Sequence, residues 1–159
     1  MKTVVLGLGN PILTDDGVGL KVARAVQDRV TDPDVSVIEA CTGGLDVLDL
    51  LLDFDGAIII DAVQTRNGRP GEVYRFDSSA LDFSEHTASL HGVSLGNALD
   101  LGRQLGMAVP GKIQFFAIEA ENVSDFGEEC TAAVAAAVPG CVEMVLKAIH
   151  GYKEAASRV

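Results

Sequence analysis

The chain has 159 residues, 48% of them hydrophobic, with 17 glycines and no tryptophan. That length suits one compact domain with a real core, so residues 1–159 are expected to form a single domain with one active centre. The formal charge of −11 is spread along the chain and the twelve Lys and Arg are scattered, which excludes nucleic acid as an expected partner. Cys41, Cys130 and Cys141 form no CxxC pair, so neither a disulfide framework nor a zinc knuckle is expected, and a cytoplasmic location fits.

Met1 and Lys2 lead straight into Thr-Val-Val-Leu-Gly-Leu, an apolar run too short for a signal or membrane segment. No membrane insertion is expected from it; it reads as a buried first strand, Thr3 to Leu8, broken by Gly9-Asn10-Pro11. A loop with Thr14, Asp15 and Asp16 follows. Val18, Val22, Val26 and Val30 then mark one face of a helix from Gly17 to Val30. After the turn Asp32-Pro33-Asp34, Val35 to Glu39 predicts a second strand, Thr42-Gly43-Gly44 a loop, and Leu45 to Phe54 a second helix. Ala57 to Ala62 is a near-continuous apolar run interrupted by Asp61, the pattern of a central strand buried on both faces.

Only Val63 to Gly71 separates that strand from the next, Glu72 to Asp77. A parallel crossover needs more chain, so the fourth strand is expected to be an antiparallel edge strand in a hairpin. Ser78 to Leu90 shows no period and must return the chain to the opposite rim. A third helix is predicted over about Val93 to Leu105, a fifth strand over Lys112 to Ile118, one helix ending near Val138, and another from Pro139 to about Tyr152, because proline does not continue a helix from the residues before it. The sum is an α/β fold: a three-layer α/β/α sandwich around a mostly parallel five-stranded sheet with one antiparallel edge strand.

Ligands of such sheets bind beyond the carboxyl ends of the strands. Asp16 follows the first strand, Glu39 closes the second, Asp61 closes the third, and His91 precedes the third helix, so all four are expected at that rim. Two carboxylates and an imidazole can ligate a borderline divalent ion such as zinc, nickel or manganese. A helix N-terminus disfavours a protonated His91 and keeps its ring free for metal. Structural roles compete with this reading. Asp16 is equally suited to cap the Gly17 helix, His86 and His91 can both be loop residues, and His150 is expected to face solvent. Asp61 beside a buried strand calls for a partner. Cys41 has no base arranged for it and reads as a buried structural thiol. Gly7-Leu8-Gly9, with Glu39 as a ribose acid, hints at a dinucleotide-binding oxidoreductase. The third glycine of that fingerprint falls on Ile12, and Asp15 and Asp16 stand where a pyrophosphate would lie.

The segment Val5-Leu6-Gly7-Leu8-Gly9-Asn10-Pro11-Ile12-Leu13-Thr14-Asp15-Asp16-Gly17-Val18-Gly19 resembles the opening of the hydrogenase-maturation endopeptidases. The likeness continues through Ile60-Asp61-Ala62 and Ser89-Leu90-His91-Gly92-Val93-Ser94-Leu95, and covers the chain in order and length. It implies that Asp16, Asp61 and His91 occupy the positions of the family's metal-binding and catalytic side chains; some members carry Glu at the first. It also implies the partner and the cofactor: a nickel-iron hydrogenase large-subunit precursor that loses its C-terminal extension after nickel insertion, with nickel contributed by that precursor. The chain departs from the family at Glu39-Ala40-Cys41, where relatives often have Asp-Gly-Gly. A chaperone that holds the large-subunit tail without cutting it is the alternative outside enzymology.

Overall fold

The computed structural model describes residues 1–78 and 92–157. The strands β1 (Thr3–Leu8), β2 (Val35–Ala40), β3 (Gly56–Val63), β4 (Val73–Asp77) and β5 (Lys112–Glu119) form one sheet in the order β2-β1-β3-β5-β4. All pairs are parallel except β4 with β5. The apolar runs become central strands: every residue of β1 and the stretch Gly56 to Ile60 of β3 are buried. Strands covered on both faces cannot afford the alternating polar residues of a half-exposed strand.

Helices α1 (Val18–Gln27) and α4 (Ala132–Ser157) cover one face, packing on Val5, Ile58, Ile60, Phe116 and Ile118. Helices α2 (Leu45–Leu51) and α3 (Gly92–Gln104) cover the other, over Leu6, Leu8, Ile59, Ile113 and Phe115. This is the expected three-layer sandwich. The chain leaves β1 toward β2 by way of α1 on one face, then crosses back through α2 on the other face to reach β3 on the far side of β1. The direction of winding therefore reverses between β1 and β3, and a crevice opens there at the carboxyl rim.

Three elements differ from the sequence expectation. The fourth strand is the antiparallel edge strand, but its neighbour is β5 and not β3. The connection 64–72 is carried across the end of β5, where Gly71 N–H donates to Glu119 O and Glu119 N–H donates to Glu72 O, both at 2.8 Å. Phe76 then stacks on Phe115 with ring centroids 5.2 Å apart. Helix α2 stops at Leu51 because Leu52 is extended and Asp53 takes φ +70°.

The largest difference is α4, a single helix that runs through Pro139. Val134 before the proline and Cys141, Val142, Val145, Ala148, Ile149 and Tyr152 after it are all buried. Splitting the helix would uncover one of those groups. A proline inside a helix costs about 3 kcal/mol, while each buried aliphatic side chain returns roughly 1.5–3 kcal/mol, so continuity wins. By length and hydropathy α4 could also cross a membrane, but its buried stripe makes it a core helix of this sandwich. Pro139 itself is exposed, as is Ala135, whose carbonyl loses its partner. Pro139→Ala restores that hydrogen bond, and the variant should unfold about 1–3 kcal/mol later in urea titrations. Unchanged or lower stability would mean that the helix is already broken there.

Candidate functional site

The site is built by the turn that follows β1. Gly9 leaves the strand at φ +151°, where a Cβ would lie 2.0 Å from Asp16 O; only glycine lets the chain fold back this closely. A short 3-10 turn over Thr14–Gly17 then precedes α1. Thr14 holds φ +52°, a left-handed conformation that costs a β-branched residue roughly 1–2 kcal/mol. It is held there by three bonds: its N–H donates to Gly127 O at 2.9 Å, its hydroxyl donates to Asp125 O at 2.7 Å, and its carbonyl meets the Cys130 thiol at 3.9 Å. The consequence falls on the next two residues, which part company.

Asp15 points inward and is fully buried. Its Oδ2 accepts from Glu121 N–H at 3.0 Å, Asn122 N–H at 3.0 Å and the Thr131 hydroxyl at 2.8 Å, and its Oδ1 accepts from Thr131 N–H at 2.7 Å. Four donors and no acceptor face it, the environment of a carboxylate. Asp15 bolts the turn after β1 to the β5–α4 connection. Asp16 is also buried, 6% exposed, but among the described residues its side chain accepts one bond, from Asn10 N–H to Oδ2 at 2.9 Å. It does not cap α1: the N-cap is Gly17, and no side chain bonds there. The capping role that competes with function is therefore absent.

Asp61 stands at the same carboxyl rim, on β3. The β1–β3 register ends at Gly7 opposite Ile60, so Asp61 stands level with the point where β1 turns away. Gly19, in the first turn of α1, brings the start of that helix down on the rim. A Cβ on Gly19 would lie 2.4 Å from Leu8 O and 2.5 Å from Ile60 O, so the helix start rests directly on the ends of both strands, and the 3-10 turn touches β3. Asp61 is half-buried, and its Oδ1 accepts from Ala62 N–H at 2.8 Å.

The other candidates divide. Glu39 is not in the crevice: it is exposed on edge strand β2 and accepts from Arg24 Nε at 3.1 Å and Nη2 at 2.7 Å, a pairing across fifteen residues that turns it toward α1. His91 and His86 lie outside the described residues. His150 faces solvent, as expected. Among the described residues no three His, Cys, Asp or Glu side chains are gathered to hold a metal ion; of the expected trio Asp16 and Asp61 are described, and carboxylates are oxygen donors of the kind a divalent cation takes. Sequence reasoning missed Asp15 as an anchor and Glu119 altogether. Glu119 is 2% exposed at the end of β5, with Oε1 accepting from Thr65 N–H and hydroxyl and Oε2 unpartnered. Its signal was available: an acid ending an apolar strand, the same pattern that drew notice at Asp61.

The cysteines also need one correction. Cys41 is exposed, not buried; the core thiol is Cys141, which burial pushes up to about 12. Native protein treated with an alkylating reagent should lose Cys41 first and keep Cys141 until it unfolds; equal labelling of both would refute this packing. Asp15→Ala would strip four donors of their acceptor, and should lower stability by about 3 kcal/mol or more in denaturant titrations. A change under about 1 kcal/mol would deny Asp15 its anchoring role.

Similarities to known proteins agree with this architecture. A family model described as hydrogenase maturation protease matches residues 20–148. The hydrogenase 2 maturation protease of Escherichia coli (strain K12) is 28% identical over 152 residues, covering 94% of this chain and 92% of that protein. The solved structure of the E. coli hydrogenase-maturating endopeptidase HybD superposes with a TM-score of 0.84 at 25% identity, over 96% of this chain and 94% of that one. The [NiFe] hydrogenase maturation protease HybD from Thermococcus kodakarensis gives 0.75 at 28% identity, over 92% and 98%. With a family model that spans most of the chain and a fold shared along nearly its whole length, this protein belongs to the hydrogenase maturation proteases.

Proposed function

We infer that this chain is an endopeptidase that processes the large subunit of a nickel-iron hydrogenase, removing a C-terminal extension from the precursor after nickel has been inserted. What supports this reading is membership of the maturation proteases, with Asp16 following β1 and Asp61 near the end of β3 at the same carboxyl rim of the sheet. His91 is assigned as the third member of the site from its place in the sequence.

Nickel enters this scheme as part of the substrate. Carboxylate oxygens are ligands a divalent cation takes. A precursor that presents nickel offers that bond on docking; a precursor without it does not. Binding energy for the crevice is thus tied to the presence of the metal, and the scissile segment is positioned only when the large subunit is ready to be cut. A carboxylate of the pair then accepts the proton of the attacking water as the peptide carbonyl is hydrolysed. Asp16 is suited to this step because, among the described residues, its hydrogen bond is to Oδ2, from Asn10 N–H.

Two experiments test the scheme. Purified enzyme incubated with nickel-loaded and nickel-free precursor should shorten only the loaded one, read as a mass loss in the large subunit; equal cleavage of both would sink the metal-checking step while leaving the peptidase intact. Asp16→Asn and Asp61→Asn keep side-chain volume but lose the charge. Each should reduce processing by 10²-fold or more, the usual scale for a lost general base, with thermal unfolding near wild type. Full activity in the Asp16 variant would leave that residue a structural part of the turn.

A further inference from the structure

The turn that Asp15 braces carries a feature that the catalytic reading does not use. Phe126 is 85% exposed and Ile12 is 49% exposed, and the two stand on neighbouring backbones: Gly127 N–H donates to Ile12 O at 2.9 Å, and Leu13 bridges to Gly127. Ile12 lies four residues before Asp16 in the same loop, so this apolar ledge borders the crevice. An exposed aromatic ring in a loose loop would be unremarkable, but this turn is not loose. Asn122 Oδ1 accepts from Ser124 N–H at 3.1 Å and Asp125 N–H at 3.0 Å, Asn122 Nδ2 donates to Asp125 Oδ2 at 2.7 Å, and the Thr14 hydroxyl donates to Asp125 O. The fold holds Phe126 out in water on a braced support. An aromatic ring fixed before binding loses little conformational entropy when a partner covers it, which is how binding hot spots are built.

The surrounding charge indicates the occupant. Glu121, Asp125, Glu128 and Glu129 are all exposed on this connection, and no Lys or Arg occurs between Lys112 and Lys147. The nearest cation contact is Lys21 with Glu129 at 3.9 Å. Beside the turn, a polar depression of about 450 Å³ is bounded by Gln64, Glu121, Asn122, Ser124, Asp125 and Thr131. Its charged lining is carboxylate.

We propose that the Ile12–Phe126 ledge is the docking surface for the hydrogenase precursor, and that it takes a segment in which an apolar side chain is flanked by Lys or Arg. The apolar group covers Phe126 and the cation lies toward Glu121 and Asp125, which leads the chain past Asp16. This rests on the processing reading above and adds the substrate feature that the site selects.

The test measures both binding and cleavage of the hydrogenase large-subunit precursor by wild type, Phe126→Ala, Phe126→Tyr and the double variant Glu121→Gln with Asp125→Asn. Phe126→Ala should weaken precursor binding tenfold or more and raise KM with kcat little changed, while the melting temperature stays near wild type because the residue is 85% exposed. Phe126→Tyr should restore most of the affinity. Wild-type binding should weaken as salt rises, and the double variant should flatten that dependence. Unchanged affinity in Phe126→Ala overturns the inference, whether or not the precursor is cut. Loss of binding in that variant when wild type binds without cutting supports the surface and rejects the peptidase instead. Wild-type self-association that Phe126→Ala abolishes, with precursor affinity intact, would make the ledge an interface between copies and also overturn the inference.

Discussion

Asp15 takes a carboxylate fully out of water at the junction of two loops, and most of the functional architecture hangs on how that cost is met. Removing a carboxylate from solvent costs several kcal/mol. Four hydrogen bonds to a charged acceptor, each worth about 1.5–3 kcal/mol, roughly balance it. The net stability gained is therefore small, but the arrangement is specific, because any displacement of Glu121, Asn122 or Thr131 leaves the charge short of a donor. The turn after β1 and the connection after β5 are 106 residues apart at their nearest bonded pair, yet they behave as one rigid rim. Asp16 inherits its position from that rim, and so does Phe126.

The sheet supplies the second constraint. A crevice at the reversal of winding is a property of the strand order, and it would form with many side chains. What brings the loop carrying Asp16 to the ends of β1 and β3 is the close seat of α1, permitted by the missing Cβ of Gly19. The helix backbone itself comes down on the carbonyl oxygens of Leu8 and Ile60. The position of that loop is thus set by sterics.

Much of this was legible in the residues. The strands β1, β3 and β5 are apolar runs because both their faces are covered, and the short connection before β4 announced an antiparallel edge. Asp16 and Asp61 could be assigned to one rim because helices begin where parallel strands end. The rest needed coordinates for physical reasons. Which strand β4 joins depends on the path of residues 64–72 across Glu119, a tertiary matter with no local signature. The unbroken α4 contradicts the rule for proline because packing on both sides of Pro139 outweighs it. Glu39 left the site through an ion pair with a residue fifteen positions away. Asp15 and Asp16 are chemically alike and adjacent, and nothing local tells which one is the anchor; that depends on the backbone of Thr14.

The left-handed turn at Thr14 also limits how the loop can evolve. Because Asp15 and Asp16 differ by a single step along the chain, an insertion or deletion at Thr14 would shift which acid meets the donors of Glu121, Asn122 and Thr131. A change of loop length would therefore disturb the anchor even with both acids preserved, whereas Asp16→Glu would lengthen one side chain and leave the donors around Asp15 in place.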